Sequence, residues 1–249
     1  MRIVYLDCFS GISGDMTLAA LVDAGADRDY VESGLARIRA EPFRLVWRRV
    51  TKNGVSALKV DVEVEPGRAP AHHRHFADIV RLIEQAELGE RATETAVAIF
   101  RRLAEAEARI HRVPVERVHF HEVGAIDSIA DIVGVALALD SLAPDRVLVS
   151  PVPVGTGFVR CDHGVYPVPA PATLELLKGL PIADTPPDAE GELTTPTGAA
   201  IVAAVAHGFS RSLPAMTAEA VGYGAGARDL PGRPNVLRAV VGRAEEPRD

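Results

Sequence analysis

The chain has 249 residues, of which 47% are hydrophobic, and this is enough to bury the core of one large domain or two small ones. Its formal net charge of −7 argues against a general nucleic-acid binder, which needs a basic surface. The sequence shows no secretory signal and no apolar run of about 18 residues that would span a membrane, so we expect a cytoplasmic protein whose Cys8 and Cys161 are reduced thiols.

The first predicted elements indicate an α/β fold. Residues 2–6 have the apolar pattern of a short buried strand, and residues 15–24 have helical periodicity after an intervening Gly/Ser loop. This strand–loop–helix order is the usual opening of an α/β domain. Residues 43–64 predict an antiparallel hairpin, because Asn53 and Gly54 readily supply the two positive φ angles of a type I′ turn.

The rest of the chain continues in short alternating elements. We expect a loop at 66–75, helices at 76–86 and 89–110, an extended segment at 117–123 and a helix at 128–142. Ser128 and Asp131 fit a capping box at the start of this last helix. We then expect a strand at 146–149, largely irregular chain over 151–170, helices at 171–178 and 199–206, a glycine-rich loop at 222–232 and a last strand at 235–241. The fold prediction is one α/β domain over residues 1–242, with a mixed sheet, an antiparallel hairpin excursion at about 43–64 and a charged tail at 243–249.

The loop between the first strand and the first helix is the first candidate site. Backbone N–H groups at a helix N-terminus bind phosphate well, because the unpaired amides and the helix dipole both favour negative charge. A second helix start of this kind follows later in the chain. The candidate phosphate-binding residues of the two loops are Asp7, Ser10, Gly11, Ser13, Gly14, Asp15, Thr195, Thr197 and Gly198. Capping of each helix without any ligand is an equally good interpretation, and Asp15 can alternatively hold a metal ion.

Histidine and cysteine residues supply two candidate metal-binding segments. His72, His73 and His75 lie within four residues and can bind a borderline metal such as nickel or zinc, although a solvated surface loop is the simpler alternative. Cys161 and His163 combine a soft sulfur with a nitrogen, which also suits nickel or zinc. These two ligands need partners from elsewhere in the chain.

The extended segment at 117–123 supplies a third candidate. His119 and His121 point to the same side of an extended chain, which is a metal-ligand geometry, and Glu122 can act as a ligand or a base. Asp127 and Asp131, one helical turn apart, can orient a ligating imidazole or serve simply as N-terminal helix charges.

Taken together, these motifs resemble those of the nickel-insertion (LarC) proteins of the lactate racemase cofactor pathway. The resemblance follows the family order through nearly the whole chain. It rests on YLDCFSGISGDM at 5–16, HHRH at 72–75, VHFHEVGAIDSIADIVG at 118–134, CDHGVYPVPAPATLELLKG at 161–179, ELTTPTGAA at 192–200 and GYGAGARD at 222–229.

The resemblance implies insertion of nickel into a pyridinium-3,5-bisthiocarboxylic acid mononucleotide, between its two thiocarboxylate sulfurs and ring carbon C4. It implies a reaction that consumes CTP with Mg²⁺ or Mn²⁺ and yields the nickel-pincer nucleotide used by lactate racemase and related enzymes. The region in which the family binds CTP is not found in this sequence, so we expect a separate C-terminal partner chain or a missing domain. A homo-oligomer is compatible with the resemblance, whereas neither nucleic acid nor a membrane is expected as a partner.

The implied chemistry assigns roles to the candidate residues. Forming a nickel–carbon bond removes a ring proton and needs a base, and the catalytic candidates are Glu122, His121 and Asp127. We expect His121 and His163 to share one pocket that the 7–15 loop faces, with the first histidine cluster as a separate nickel-capture site. The alternative functions are a metal-dependent phosphohydrolase or other nucleotide enzyme, and a non-catalytic nickel chaperone.

Overall fold

The computed structural model describes residues 1–64, 74–120, 124–161, 164–186 and 189–245. Five of the predicted site residues lie outside these ranges, namely His72, His73, His121, Glu122 and His163.

Helices and strands are mixed along the chain, which confirms the predicted α/β class. The helices are α1 (Gly14–Asp23), α2 (Arg28–Leu35), α3 (Phe76–Gln85), α4 (Glu90–His111), α5 (Ile126–Leu142), α6 (Pro171–Leu176) and α7 (Pro196–Val205). The strands are β1 (Arg2–Asp7), β2 (Phe43–Lys52), β3 (Val55–Val64), β4 (Arg74–His75), β5 (His119–Phe120), β6 (Arg146–Val149), β7 (Gly155–Thr156), β8 (Phe158–Cys161), β9 (Gly164–Pro167), β10 (Gly191–Glu192), β11 (Gly208–Phe209), β12 (Thr217–Ala225) and β13 (Val236–Arg243).

The main sheet is mixed and has seven strands in the order β11–β6–β1–β13–β12–β3–β2. Strand β1 runs parallel to β6 and antiparallel to β13, and β12 is antiparallel to β13. The predicted hairpin is confirmed as β2–β3, and its turn residues Asn53 and Gly54 have φ angles of 44° and 82°. Rather than standing apart from the sheet, the hairpin forms its edge, because Leu58 pairs in parallel with Gly224 of β12.

Helix α1 lies against the sheet and connects it to the other helices. It packs on β12 and β3, while α5 packs behind it against α1, α2 and α4. Helix α5 is buried along most of its length because it is apolar on nearly all sides. Gly224 permits the close approach of α1 to the sheet, since a Cβ atom at this position would lie 1.9 Å from the carbonyl oxygen of Met16.

Strand β12 corrects the prediction of a glycine-rich loop that begins at residue 222. Residues Thr217–Ala225 form a strand that pairs with β13 from end to end, with a register shift between Ala218 and Ala220. The physical reason is that Gly222 and Gly224 serve contact with α1 rather than a turn, and glycine in a strand often marks such a close backbone approach.

Three shorter segments also differ from the prediction. The span 151–170 is not irregular throughout, because β8 and β9 form an antiparallel hairpin within it. In the described part of the segment 117–123, His119–Phe120 form a strand, whereas Arg117 ends a 3₁₀ turn that begins at Val115. Arg243 pairs with Arg2 and Thr217, so it belongs to the sheet and not to the charged tail.

The predicted capping box at the start of α5 is wrong. The helix begins at Ile126 with Ala125 as its N-cap residue, so Ser128 already lies inside the first turn. The amide of Ser128 donates to the Oδ1 atom of its neighbour Asp127 at 2.7 Å, and Asp131 faces α1 instead. Helix α2 was not predicted at all. Within the parts of the chain that the structure describes, no helix combines the length and the apolar character needed to cross a membrane.

Candidate functional site

Two of the predicted histidines meet at a short pair of strands outside the main sheet. Strand β4 pairs antiparallel with β5, which places Arg74 opposite Phe120 and His75 opposite His119. The imidazole rings of the two histidines lie 3.6 Å apart between their centroids, at an interplanar angle of 56°. Two histidine motifs that are far apart in the sequence therefore converge at one place.

This contact corrects two expectations. Arg74 and His75 were predicted to end a loop, but they form a strand. The first histidine cluster was predicted to be separate from the His119 segment, whereas its member His75 touches His119 directly. The Nδ1 atom of His75 is buried and makes no hydrogen bond to any residue that the structure describes.

Neighbouring elements fix the positions of the two histidines. The backbone amide of His75 donates to Asp78 Oδ2 at 3.3 Å, which ties the histidine to the first turn of α3. Phe120, the residue after His119, is 1% exposed and packs against Phe100 of α4 with 6.2 Å between ring centroids. A hydrogen bond to α3 thus fixes β4, and the buried Phe120 side chain fixes β5.

Apart from His75 and His119, the predicted metal ligand that lies within the described ranges is Cys161. Cys161 ends β8, and its Sγ atom donates a weak hydrogen bond to the Gly164 carbonyl oxygen at 3.6 Å. Across the described ranges, no three His, Cys, Asp or Glu side chains gather as a metal site. The prediction that His121 and His163 share a pocket concerns residues outside those ranges, and it stays a prediction.

The structure places the two predicted phosphate-binding loops side by side. The amide of Ile12 donates to the Leu193 carbonyl oxygen, and the amide of Thr195 donates to the Ile12 carbonyl oxygen, both at 3.1 Å. Glycines make this contact possible, because a Cβ atom on Gly198 would lie 2.1 Å from the Ile12 oxygen, and one on Gly11 would lie 2.0 Å from the Leu193 oxygen. The two helix starts, α1 and α7, therefore form one joint surface.

Several hydroxyls and charges of these loops have partners within the chain. Ser10 is buried and donates to the Pro234 carbonyl oxygen at 2.8 Å, and Asp7 forms an ion pair with Arg238. Ser13 accepts from the Met16 amide, which makes it the N-cap of α1.

In the second loop, Thr195 accepts from the Gly198 amide at 3.1 Å as the N-cap of α7, while Thr197 is buried. The capping alternative is thus realised at both helix starts, and phosphate binding there stays a prediction.

A charged cluster that the sequence reasoning did not assemble lies beside α1. The Lys59 ammonium contacts Asp15 Oδ2 at 3.3 Å and Asp61 Oδ1 at 3.4 Å, although its side chain is only 9% exposed. Asp15 also accepts from the Ser13 hydroxyl. The available signal was the lysine in the strand VSALKVDVEV, two residues before Asp61, because a buried lysine is rare without charged partners.

Asp131 completes this cluster from α5. Its Oδ1 atom is enclosed and has no hydrogen-bond partner among the described residues, and Gly14 packs so closely that an added Cβ atom would lie 2.7 Å from Asp131 Oδ2. Burial raises the pKa of Asp131 well above its ordinary value, the carboxylates of Asp15 and Asp127 raise it further, and Lys59 opposes them. Asp127 itself is exposed in the first turn of α5.

Fold and site together define an α/β protein with two converging imidazoles, a ligand type that suits borderline ions such as nickel. Comparison with known proteins makes the assignment specific. The chain belongs to the nickel insertion protein family, whose pattern, described as "Nickel insertion protein", matches residues 4–249.

Relatives in several bacteria support this membership. The chain is 50% identical over 249 residues to the "Pyridinium-3,5-bisthiocarboxylic acid mononucleotide nickel insertion protein" of Geobacillus kaustophilus, a match that covers 97% of this chain and 60% of that protein. It is 51% identical over 247 residues to the "Putative nickel insertion protein" of Geobacter metallireducens, covering 98% and 62%. A protein of Desulfitobacterium hafniense with the same name as the first is 48% identical over 242 residues, covering 97% and 58%. The chain therefore spans about 60% of the length of these curated relatives. No solved structure matches it.

Proposed function

We propose that this chain binds nickel(II) and transfers it to a pyridinium-3,5-bisthiocarboxylic acid mononucleotide. The observation that carries the proposal is the contact between His75 and His119, which joins two histidine motifs in a member of the nickel insertion family. The identity of the acceptor follows the names of the relatives in Geobacillus kaustophilus and Desulfitobacterium hafniense.

Two imidazoles suit a site that must release its metal. Neutral imidazole nitrogens bind nickel, and the two rings lie 3.6 Å apart between their centroids. The proposal requires one nitrogen of each ring to turn towards a shared ion. Two protein ligands leave much of the coordination sphere open for the acceptor. The acceptor then offers two sulfurs and a carbon in one rigid molecule, so transfer from the histidine pair runs towards the tighter ligand set.

The insertion step exchanges a proton for the metal. Nickel(II) binds the two thiocarboxylate sulfurs and takes the place of the proton on ring carbon C4, and that proton passes to a base. The candidate bases are His121, Glu122 and Asp127. The exposed carboxylate of Asp127 lies in the first turn of α5, a few residues beyond the histidine segment.

We assign the CTP-dependent part of the reaction, with its Mg²⁺ or Mn²⁺, to the part of the family length that this chain does not span. The product is then the nickel-pincer nucleotide, which a downstream enzyme of the lactate racemase type uses. On this proposal the chain is one part of a nickel chelatase, and it works with a C-terminal region supplied as a partner chain or a further domain.

The test is an insertion assay read by mass spectrometry. The chain is incubated with the bisthiocarboxylate mononucleotide, nickel(II), Mg²⁺ and CTP, with and without the C-terminal region of a full-length relative, and that full-length relative serves as the positive control. We expect a nickel adduct that has lost one proton when the C-terminal region is present. Bound nickel with no adduct in the complete mixture would instead make the chain a nickel chaperone.

A further inference from the structure

Contacts beyond the strand ladder also hold the two histidines together. Among the residues that the structure describes, strands β4 and β5 contribute two residues each and pair with each other. An isolated two-stranded pair is marginal in water. Side-chain contacts that join the two strands to the rest of the chain therefore help to keep His75 beside His119.

Arg74 makes those contacts from the position next to His75. Its Nη1 atom donates to the Gly124 carbonyl oxygen at 2.6 Å, and its Nη2 atom forms an ion pair with Glu41. The side chains of Arg74 and Glu41 are only 11% and 10% exposed. One guanidinium thus ties together three separate parts of the chain: the segment before β2, strand β4 itself, and the turn that follows β5.

Gly124, which lies shortly before α5, packs closely at this contact. Gly124 lies so close that an added Cβ atom would be 2.9 Å from the Phe120 carbonyl oxygen and 3.2 Å from the Arg74 amide nitrogen. The planar guanidinium fork can bond the carboxylate and the carbonyl at once, whereas the single ammonium of lysine is a point charge on a flexible stem.

We infer that Arg74, held by Glu41, is a positioning residue that keeps His75 and His119 in register for nickel. The inference rests on the proposed function, because it takes the histidine pair as the nickel site. Arg74 acts through the two strands and does not itself contact the metal. When a group that orients a metal ligand is removed, metal affinity typically falls about 10–100-fold.

The experiment must separate positioning from simple loss of folding. Removing one partner alone leaves a buried charge unpaired, so the main variant replaces both, as Glu41→Met with Arg74→Met, which restores an apolar contact of similar volume. Arg74→Lys is the conservative variant. The matched control is Arg44→Met with Glu63→Met, which removes an arginine–glutamate pair that is 76% and 50% exposed on the β2–β3 hairpin.

Nickel(II) alone is the probe, with affinity measured by calorimetry and ligand geometry by the visible absorption bands of the bound ion. We expect the Glu41/Arg74 double variant to keep its thermal unfolding transition, to bind nickel about 10–100-fold more weakly and to show shifted absorption bands. Arg74→Lys should recover only part of the affinity, and the hairpin control should match the wild type.

Two results would refute different parts of this inference. If the Glu41/Arg74 variant binds nickel with unchanged affinity and unchanged bands while His75→Ala and His119→Ala do not bind it, the positioning role is refuted and the nickel site stands. If His75→Ala and His119→Ala themselves bind nickel like the wild type, the nickel site of the proposed function is refuted.

Discussion

Asp131 is a residue whose acid–base chemistry departs strongly from its ordinary behaviour. Because burial and neighbouring carboxylates raise its pKa in the folded chain, folding favours the protonated carboxyl group. The resulting stabilisation is complete below the ordinary pKa of 3.8 and is lost as the pH rises through the raised value in the folded state. At neutral pH, an ionised carboxyl at this position therefore opposes folding.

An Asp131→Asn variant should show this directly. Asparagine stays neutral and can still accept the hydrogen bond that the Asp15 backbone amide donates to residue 131. We therefore expect a melting temperature at least about 2 °C above that of the wild type at neutral and alkaline pH. The gain should shrink towards about pH 4, where the wild-type carboxyl is also neutral. Thermal melts across this range provide the measurement, with Asp184→Asn as an exposed control. A gain that is the same at every pH would contradict the assigned protonation.

Asp15 offers a second test at this scale, for the predicted phosphate site. Its carboxylate stands at the first turn of α1, where it would repel a phosphate bound to the helix start. Among the residues predicted to bind phosphate, Asp15 is therefore the one that we expect to weaken the binding. In Asp15→Asn, Lys59 keeps its contact with Asp61 at 3.4 Å but is freed from Asp15. We expect the variant to bind the mononucleotide several-fold more tightly, by about 1 kcal/mol, and the gain to fall as salt is added. Unchanged affinity would place the phosphate elsewhere.

At the scale of elements, close backbone contact decides more than local propensity does. The glycines of β12 led to the prediction of a loop from the sequence, but in the structure they let α1 approach the sheet. In Gly224→Ala, the new Cβ atom would lie 1.9 Å from the Met16 oxygen and 2.6 Å from the Ala20 amide nitrogen, so α1 must move. We expect the free energy of unfolding to fall by about 1–3 kcal/mol.

A matched control exists for this substitution. In Gly208→Ala, the nearest atom to the new Cβ atom is the Leu148 Cδ2 atom at 3.3 Å, the flexible end of a side chain that can turn away. Denaturant unfolding should separate the two variants clearly. A Gly224→Ala protein as stable as Gly208→Ala would show that α1 is not held closely by β12.

Elements with a local cause were predictable from the sequence. The strand–loop–helix opening, the Asn53-Gly54 hairpin and the long amphipathic helix α4 each follow from periodicity or turn chemistry, and the structure confirms them. The site was predictable only in its residue types. That His75 meets His119 depends on two short strands far apart in the sequence, and no local pattern specifies such a pairing.

At the scale of the whole molecule, the histidine pair lies outside the main sheet, between the start of α3 and the turn that leads into α5. The phosphate-loop candidates and the Lys59 cluster surround the start of α1 instead. Helix α5 connects these two regions, since it follows the β5 turn and carries Asp131 against α1. We propose that one nickel ion is held by both histidines.

The most direct test of that claim is a double-mutant cycle on nickel affinity, measured by titration calorimetry of the wild type, His75→Ala, His119→Ala and the double variant. If both imidazoles hold the same ion, each single variant should lose at least about 10-fold in affinity, and the double variant should be little weaker than either single variant. Losses that add independently, or a single variant that binds nickel like the wild type, would contradict a shared site.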